Sequence, residues 1–199
     1  MRSAGIHRAA KIVITILIFV ALTAVFLWRF HVVNAECPTP PRETYQLNEP
    51  VLHNGVEYTL SNYKVLDEDT FCEQYDIDPI HVKESGLNSK IIVVTMYAEN
   101  VSDHNVNVDF AGLMLLQLGN YQCTYMYYVP LFPLLNPDKP TAGVMLPGHS
   151  IELVIPYQVN EYEWNKAEYE NLENETTQMV FSIYPVKKTV LLHASEEDT

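Results

Sequence analysis

The clearest hydrophobic pattern along the chain is an uninterrupted apolar run close to the N-terminus. Residues 12–28 contain no charge, and their only polar side chains are Thr15 and Thr23. As a helix with a rise of 1.5 Å per residue, this run is about 25 Å long, close to the ~30 Å hydrocarbon core of a bilayer. Because a helix satisfies its own backbone hydrogen bonds in lipid, the pattern predicts a transmembrane helix over residues 12–33.

The charges around this run predict its orientation. Arg2, Arg8 and Lys11 precede it, and no acidic residue occurs before Glu36. Basic flanks are retained in the cytoplasm, so residues 1–11 are expected to be cytoplasmic and the rest of the chain extracellular. The sequence therefore predicts a single-pass protein of the cell membrane with an uncleaved signal anchor.

A cleaved signal peptide is the alternative interpretation of the same segment. Residues 33–35 (Val-Asn-Ala) resemble a small-residue cleavage site, which would release a secreted form after Ala35. The apolar run is long for a signal peptide, and Arg29 and His31 interrupt the approach to the cleavage site. These features favour the uncleaved anchor.

Beyond residue 45, apolar and polar residues alternate with the period of two that is typical of half-buried strands. After the turn signal Asn54-Gly55, for example, Val56, Tyr58 and Leu60 alternate with polar residues. The segments that indicate strands are 46–53, 56–66, 91–101, 106–110, 121–129, 150–159 and 179–192, with 91–101 as a central strand. Short strands separated by turn signals, without alternating helices, predict an all-β fold of the β-sandwich type.

Composition suggests the domain boundaries. Three prolines between residues 34 and 44 indicate a stiff, extended spacer. The predicted organisation is then a spacer at 34–44, an extracellular domain at 45–193 and an acidic tail at 194–199. Within the domain, we expect a short helix in residues 161–175 and loops at 67–78, which is acidic, and at 131–147, which is rich in proline.

The charge balance limits the possible functions. The chain has 199 residues, of which 25 are acidic and 12 basic, for a net charge of -13. Nucleic-acid binding requires clustered Lys and Arg, so it is not expected. The sequence contains no H-E-x-x-H motif, no Gly-rich phosphate loop and no Cys-His-Asn set at a recognisable spacing, so we expect neither enzymatic activity nor a cofactor.

Two acidic segments are candidate cation sites. Residues 103–109 resemble the start of an EF-hand loop, but Val108 stands at the sixth position and Met114 at the twelfth, where Gly and Glu are required. Residues 67–78 contain six carboxylates, which solvation explains without a metal. No metal site is therefore predicted.

The order of these turns and strands resembles a bacterial family. The matching features are Asn54–Leu60, the strand 91–101, the segment 110–118 with Gly119 and Tyr121 at its turn, and Leu146-Pro147-Gly148 before the next strand. They are similar to an immunoglobulin-like domain of bacterial lipoproteins and signal-anchored surface proteins, whose fold resembles that of a mycobacterial secreted immunoprotective antigen. The resemblance covers about residues 45–190. It implies an immunoglobulin-like antiparallel β-sandwich and brings no catalytic residues.

The three cysteines suggest two kinds of cross-link outside the cytoplasm. Cys72 and Cys123 both lie within the predicted domain and form a candidate disulfide; two unpaired cysteines are the alternative. Cys37 lies in the spacer, where it either stays a thiol or joins two chains in a homodimer.

The aromatic residues around position 125 are the candidate partner-binding residues. Tyr125, Tyr127, Tyr128 and Phe132 lie beside the Pro-rich segment, and exposed tyrosines suit recognition of a peptide or a sugar. Core packing is the competing interpretation of these residues. The expected function is non-enzymatic binding of a cell-envelope protein or glycan by a membrane-anchored domain. A structural or assembly subunit of a surface complex is the alternative.

Overall fold

The computed structural model describes residues 2–36, 38–82, 88–113, 115–119 and 123–194, apart from the side chains of residues 2–10, 111, 113 and 123. The chain divides into two compact units, Met1–Pro40 and Pro41–Thr199. The predicted acidic tail at 194–199 lies outside the described residues except for Ala194.

The first unit consists of one helix, α1 (Arg2–Glu36). Its segment Lys11–Glu36 contains an 18-residue window with a mean hydropathy of 2.5 and is long and apolar enough to cross a membrane. The hydroxyl groups of Thr15 and Thr23 donate hydrogen bonds to the carbonyls of Lys11 and Phe19. The two polar side chains of the apolar run are thus satisfied inside the helix, which suits a lipid environment.

The second unit contains two main sheets. Sheet A has the strand order β1 (Arg42–Gln46), β11 (Lys187–His193), β10 (Thr177–Ser182), β6 (Leu115–Leu118) and β7 (Cys123–Tyr125). Sheet B has the order β2 (Val51–His53), β3 (Val56–Asp67), β4 (Ser89–Asn100) and β9 (Ser150–Asn160). A two-stranded ribbon pairs β5 (Val106–Asp109) with β8 (Ala142–Met145).

Short helices occupy the connections. They are α2 (Glu68–Tyr75), α3 (Phe110–Leu113), α4 (Phe132–Leu135) and α5 (Lys166–Glu170), with single 3-10 turns at Pro79–His81, Glu161–Glu163 and Leu172–Asn174. The short helix predicted in 161–175 is confirmed as α5, which lies in the crossover from sheet B to sheet A.

The two sheets pack face to face and form a sandwich. Tyr58 and Met96 on sheet B belong to the same buried cluster as Met179, Phe181 and Val190 on sheet A. The rings of Tyr58 and Phe181 lie 5.2 Å apart between centroids. The inward-facing residues are those that the period-two pattern of β3 predicts, so the sandwich prediction is confirmed.

Sheet B is also covered on its outer face. Phe71 on α2, Ile91 and Val93 on β4, and Leu131 just before α4 form a second buried cluster. Because side chains alternate along a strand, Ile92 and Val94 point instead into the main core. Burial on both faces explains why the segment 91–94 is continuously apolar rather than alternating.

The antiparallel pairing expected for the sandwich has an exception at one edge of sheet A. There β1 pairs with β11 in parallel, and Arg42 lies opposite Lys187, whereas the other described strand pairs are antiparallel. The two strands start at the same end of sheet A, where the backbone N–H of Lys187 donates to the carbonyl of Pro41 at 2.7 Å. The strand therefore begins at Arg42, within the segment that was expected to be a spacer.

Two predicted loops contain regular structure. The acidic segment 67–78 forms α2, because Asp67 accepts hydrogen bonds from the backbone N–H and the hydroxyl of Thr70 and so caps the helix. The Pro-rich segment 131–147 contains α4 and β8. Pro133 lies in the first turn of α4, where a missing N–H costs nothing.

Candidate partner-binding surfaces

Residues 125–135 connect the outermost strand of sheet A to the outermost strand of sheet B, and we call them the bridge segment. It begins at the end of β7 and crosses to β9, where the N–H of Tyr128 donates to the carbonyl of Pro156 at 2.7 Å. The segment then turns into α4. It therefore closes one open side of the sandwich.

The three predicted tyrosines anchor the bridge segment. The hydroxyl of Tyr125 accepts a hydrogen bond from Nε1 of Trp164 at 2.7 Å, and the ring of Tyr127 lies edge-on to Phe132 with centroids 5.2 Å apart. Tyr125 and Tyr127 pack against the main core, and Tyr128 packs against the second cluster. All three remain partly exposed, so each combines an anchoring contact with an accessible edge.

Phe132 has a different position from the one predicted. It is 3% exposed and belongs to the main core. The ring fills the space beneath Tyr127, where an apolar side chain is stabilised by removal from water. We correct its predicted role: Phe132 supports the bridge segment from below and is not on the surface.

Three other apolar side chains of this segment point outward. Met126 is 63% exposed, Val129 61% and Leu134 41%. The sequence does not single them out, because neighbouring aromatic residues dominate the pattern. The alternation in 125–127 was the available signal, since the neighbours of two anchored tyrosines must point the other way.

Asn136 fixes the end of the bridge segment to the edge of sheet B. Its Nδ2 donates to the carbonyl of Val154 at 2.6 Å, and its Oδ1 accepts from the N–H of Val154 at 2.8 Å. Nδ2 also donates to the carbonyl of Phe132 at 3.0 Å, so the buried amide is well satisfied. The side chain thus replaces a neighbouring strand at β9 and holds the exposed side chains on a rigid base.

A second surface lies where β2 and the β10–β11 connection meet. It is a groove of about 520 Å³ at the end of the sandwich where the chain enters from residue 40, and we call it the tether-end groove. Its lining residues are His53, Asn54, Phe181, Ser182, Tyr184, Pro185, Val186 and Lys188. The groove lies at the same end of the sandwich as the start of β1.

Lys188 links the two sheets beside this groove. Its Nζ donates to the carbonyl of Leu52 on β2 at 2.7 Å and lies 3.6 Å from the carboxylate of Glu43 on β1. Partial burial lowers the pKa of His53, and the nearby charge of Lys188 lowers it further. Both effects favour the neutral form of the imidazole.

The acidic segments have structural partners. Asp67 caps α2, and its hydrogen bonds from Thr70 lower the pKa of the carboxyl group. His104 lies 3.0 Å from Asp103, and this hydrogen bond lowers the pKa of Asp103. Among the residues that the structure describes, no group of three or more His, Cys, Asp or Glu side chains is placed to hold a metal ion.

The cysteine predictions are not tested. Cys72 is buried on α2 in the second cluster. The backbone of Cys123 pairs with Leu118 on β6, but its side chain is not among those described. Cys37 lies outside the described residues. The Cys72–Cys123 disulfide and the Cys37 cross-link therefore stay predictions.

Residues 42–188 match the family described as Domain of unknown function (DUF5028). The chain belongs to this family. The match begins at the first residue of β1 and ends within β11, so the DUF5028 region contains both sheets of the sandwich. Comparison with curated proteins gives no match.

Several solved structures are similar to the chain. An uncharacterized beta-sandwich protein from Clostridium difficile 630 is 11% identical, with 75% of this chain and 95% of that chain covered and a TM-score of 0.43. The yjhA protein from Bacillus subtilis is 10% identical, with 74% and 98% covered and a TM-score of 0.43. A functionally unknown protein from Listeria monocytogenes EGD-e is 10% identical, with 74% and 81% covered and a TM-score of 0.45.

Proposed function

We propose that the protein is a non-enzymatic binding module, anchored in the cell membrane by α1, whose immunoglobulin-like domain binds a cell-envelope protein outside the cytoplasm. The exposed apolar side chains of the bridge segment carry this proposal. Met126, Val129 and Leu134 form the contact surface, and the partly exposed edges of Tyr125, Tyr127 and Tyr128 flank it.

The bridge segment has the properties of a protein contact. Exposed apolar side chains gain free energy when a partner removes them from water. Methionine and tyrosine are enriched in such interfaces. The anchoring contacts of Tyr125 and Asn136 hold the backbone in place, so binding costs little conformational entropy.

A photo-crosslinking experiment tests this surface. A benzoylphenylalanine residue is introduced at Val129 in the full-length protein and irradiated in intact cells. The matched control carries the same residue at Tyr162, which is 67% exposed and lies after the far end of β9. We expect one discrete cross-linked product from position 129 and none from position 162.

The identity of that product separates the candidate functions. A product with a different envelope protein supports the proposal, whereas a product with a second copy of this chain favours the assembly subunit. The same cross-linking pattern from positions 129 and 162, or no product from position 129, overturns the binding surface. Intact-mass measurement with and without reductant then tests the Cys72–Cys123 disulfide, which predicts a gain of about two hydrogens on reduction.

A further inference from the structure

Several elements meet at the end of the sandwich where the chain enters from residue 40. β1 and β11 both begin there, and the N–H of Lys187 donates to the carbonyl of Pro41. The connection 183–186 leads into β11 at this end, and the turn at 53–54 lines the tether-end groove. We call this surface the tether end.

The covalent chain limits how far the tether end can lie from the end of α1. The helix ends at Glu36, and only residues 37–40 precede Pro41. An extended chain spans at most about 3.6 Å per residue, so Glu36 and Pro41 are separated by roughly 18 Å or less. If α1 crosses a bilayer, the tether end is always within reach of the lipid headgroups, whereas the opposite end has no such constraint.

The tether end exposes side chains that suit the membrane interface. Tyr184 is 74% exposed and Ile183 64%, and they are adjacent on the connection between β10 and β11. Tyrosine is enriched at the level of the headgroups, because its ring is apolar and its hydroxyl is polar. An exposed aliphatic side chain next to it gains free energy on entering the boundary of the acyl chains.

Three basic residues of an otherwise acidic domain lie at the tether end. After residue 35 the chain has 25 acidic and only 8 basic residues, and three of the bases are Arg42, Lys187 and Lys188. Arg42 and Lys187 are register partners on neighbouring strands, so their side chains lie on the same face of sheet A. Glu43 is paired with Lys188, and within the described part of the chain neither Arg42 nor Lys187 has an ion-pair partner.

We propose that the tether end docks on the bilayer that carries α1, with Ile183 and Tyr184 in the interface and Arg42 and Lys187 against the phosphates of anionic lipids. This inference rests on the membrane-anchoring part of the proposed function and is independent of the bridge segment. Screening restricts surface electrostatics to about 8 Å at physiological salt, so Arg42 and Lys187 act mainly on charges close to them. Docking would hold the bridge segment at a fixed height above the membrane.

Depth-dependent quenching tests the docking in the full-length protein. A Tyr184→Trp variant is reconstituted into vesicles of phosphatidylcholine alone or mixed with phosphatidylglycerol, each with or without brominated acyl chains. The parent protein supplies the background of Trp28 and Trp164. The matched control is Tyr162→Trp, because Tyr162 is as exposed as Tyr184 but lies at the opposite end of sheet B.

The expected result is specific to position and lipid. Bromolipid should quench the fluorescence of residue 184 in vesicles that contain phosphatidylglycerol and should leave residue 162 unquenched. Adding Arg42→Glu and Lys187→Glu should reduce the quenching of residue 184 to its level in pure phosphatidylcholine. Each basic residue removed should weaken the interaction on the order of fivefold.

Flotation of the same vesicles distinguishes the two proposals. A chain that does not float with vesicles of either composition overturns the anchor, and the docking falls with it. A chain that floats while residue 184 is quenched no more than residue 162 overturns the docking alone. Equal quenching of residue 184 in both lipids, unaffected by the charge reversals, overturns the assignment of Arg42 and Lys187 as the lipid contact.

Discussion

At the scale of single residues, Asn100 organises the loops at the tether end. Its side chain is fully buried at the end of β4. Nδ2 donates to the carbonyls of His104 and Met145 at 2.8 and 2.9 Å, and Oδ1 accepts from the N–H and the hydroxyl of Ser102. One amide therefore joins the connection after β4 to the end of β8.

Replacing Asn100 should be costly. In Asn100→Ala the buried carbonyl of Met145 loses its side-chain donor, and the N–H of Ser102 loses its acceptor. Each unsatisfied buried group costs about 1–3 kcal/mol, so we expect a loss of roughly 2–4 kcal/mol in the free energy of unfolding, measured by urea denaturation. The control Asn107→Ala, at an exposed position of β5, should change it by less than about 0.5 kcal/mol. Equal effects of both variants would show that the Asn100 network contributes nothing.

Ionisation of the Tyr58 hydroxyl makes the stability of the protein depend on pH. Burial in the main core raises its pKa to about 12, whereas an unfolded tyrosine ionises near 10. Above pH 10 the unfolded chain loses this proton and the folded protein keeps it. The stability contributed by the buried, protonated hydroxyl is therefore complete below pH 10 and is lost by pH 12.

Tyr58→Phe should remove this dependence and keep the contact with Phe181. Other buried tyrosines still titrate, so the variant loses stability in alkali too, but by less than the parent. Between neutral pH and about pH 11, we expect the difference in unfolding free energy between the two proteins to shift by about 1.4 kcal/mol in favour of the variant. Urea denaturation at the two pH values measures it. A constant difference would show that the Tyr58 hydroxyl ionises alike in both states.

At the scale of elements, the N-cap of α2 accounts for a helix in an acidic segment. Asp67→Ala removes the hydrogen bonds to Thr70, and loss of such a cap costs about 1 kcal/mol. The pKa of Asp67 is lowered in the folded protein, so its stabilisation is present above pH 4 and disappears as the pH falls through the folded pKa. Thermal unfolding should separate the variant from the parent at pH 7, and the separation should shrink as the pH falls below 4. The neighbouring change Asp69→Ala, which leaves the cap in place, should have a smaller effect at pH 7.

The elements also show what the sequence could and could not predict. The hairpin around Asn54-Gly55 and the central strand β4 follow from turn chemistry and from local β-branched composition. Helix α2 was predictable from Asp67 and Thr70, but the crowding of carboxylates favoured a loop. The parallel pairing of β1 with β11 was not predictable, because it joins residues about 145 positions apart and no local pattern encodes its direction.

The candidate binding surface was also only partly predictable from the sequence. Aromatic composition drew attention to residues 125–132, but composition does not state which side chain points inward. The edge-on contact with Tyr127 places Phe132 in the core, and this contact depends on the chain reversing into α4. The exposure of Met126 had a signal in the alternation of residues 125–127, whereas that of Val129 had none.

One side chain, that of Asn136, covers the open edge of sheet B. Asn136→Ala leaves the N–H and the carbonyl of Val154 on the outermost strand without their amide partner. We expect a loss of about 2–3 kcal/mol and self-association through the uncovered edge, measured by urea denaturation and light scattering. The exposed control Asn105→Ala should remain monomeric and equally stable. A monomeric Asn136→Ala protein at the same concentrations would show that β9 needs no such cover.

At the scale of the whole molecule, the two units have different requirements. Both buried clusters consist of residues between Val51 and Leu192, and the described apolar side chains of α1 from Ile12 onward are mostly exposed. The sandwich therefore has its own core, and α1 has none in water. A helix of this hydropathy gains free energy in a bilayer, which is the physical basis for the proposed anchor.

This division predicts how a truncated chain behaves. A protein that starts at Pro41 should stay in solution and unfold with the same midpoint as the domain of the full-length protein in detergent, because no core residue is removed. The full-length protein should remain with the membrane after washing at alkaline pH, and a variant with Leu17→Arg and Leu22→Arg should be released, since each charge at the centre of a span costs about 3 kcal/mol. Circular dichroism and membrane fractionation provide the two measurements. Release of the unaltered chain would contradict the anchor, and an unfolded truncated protein would show that the sandwich depends on residues before Pro41.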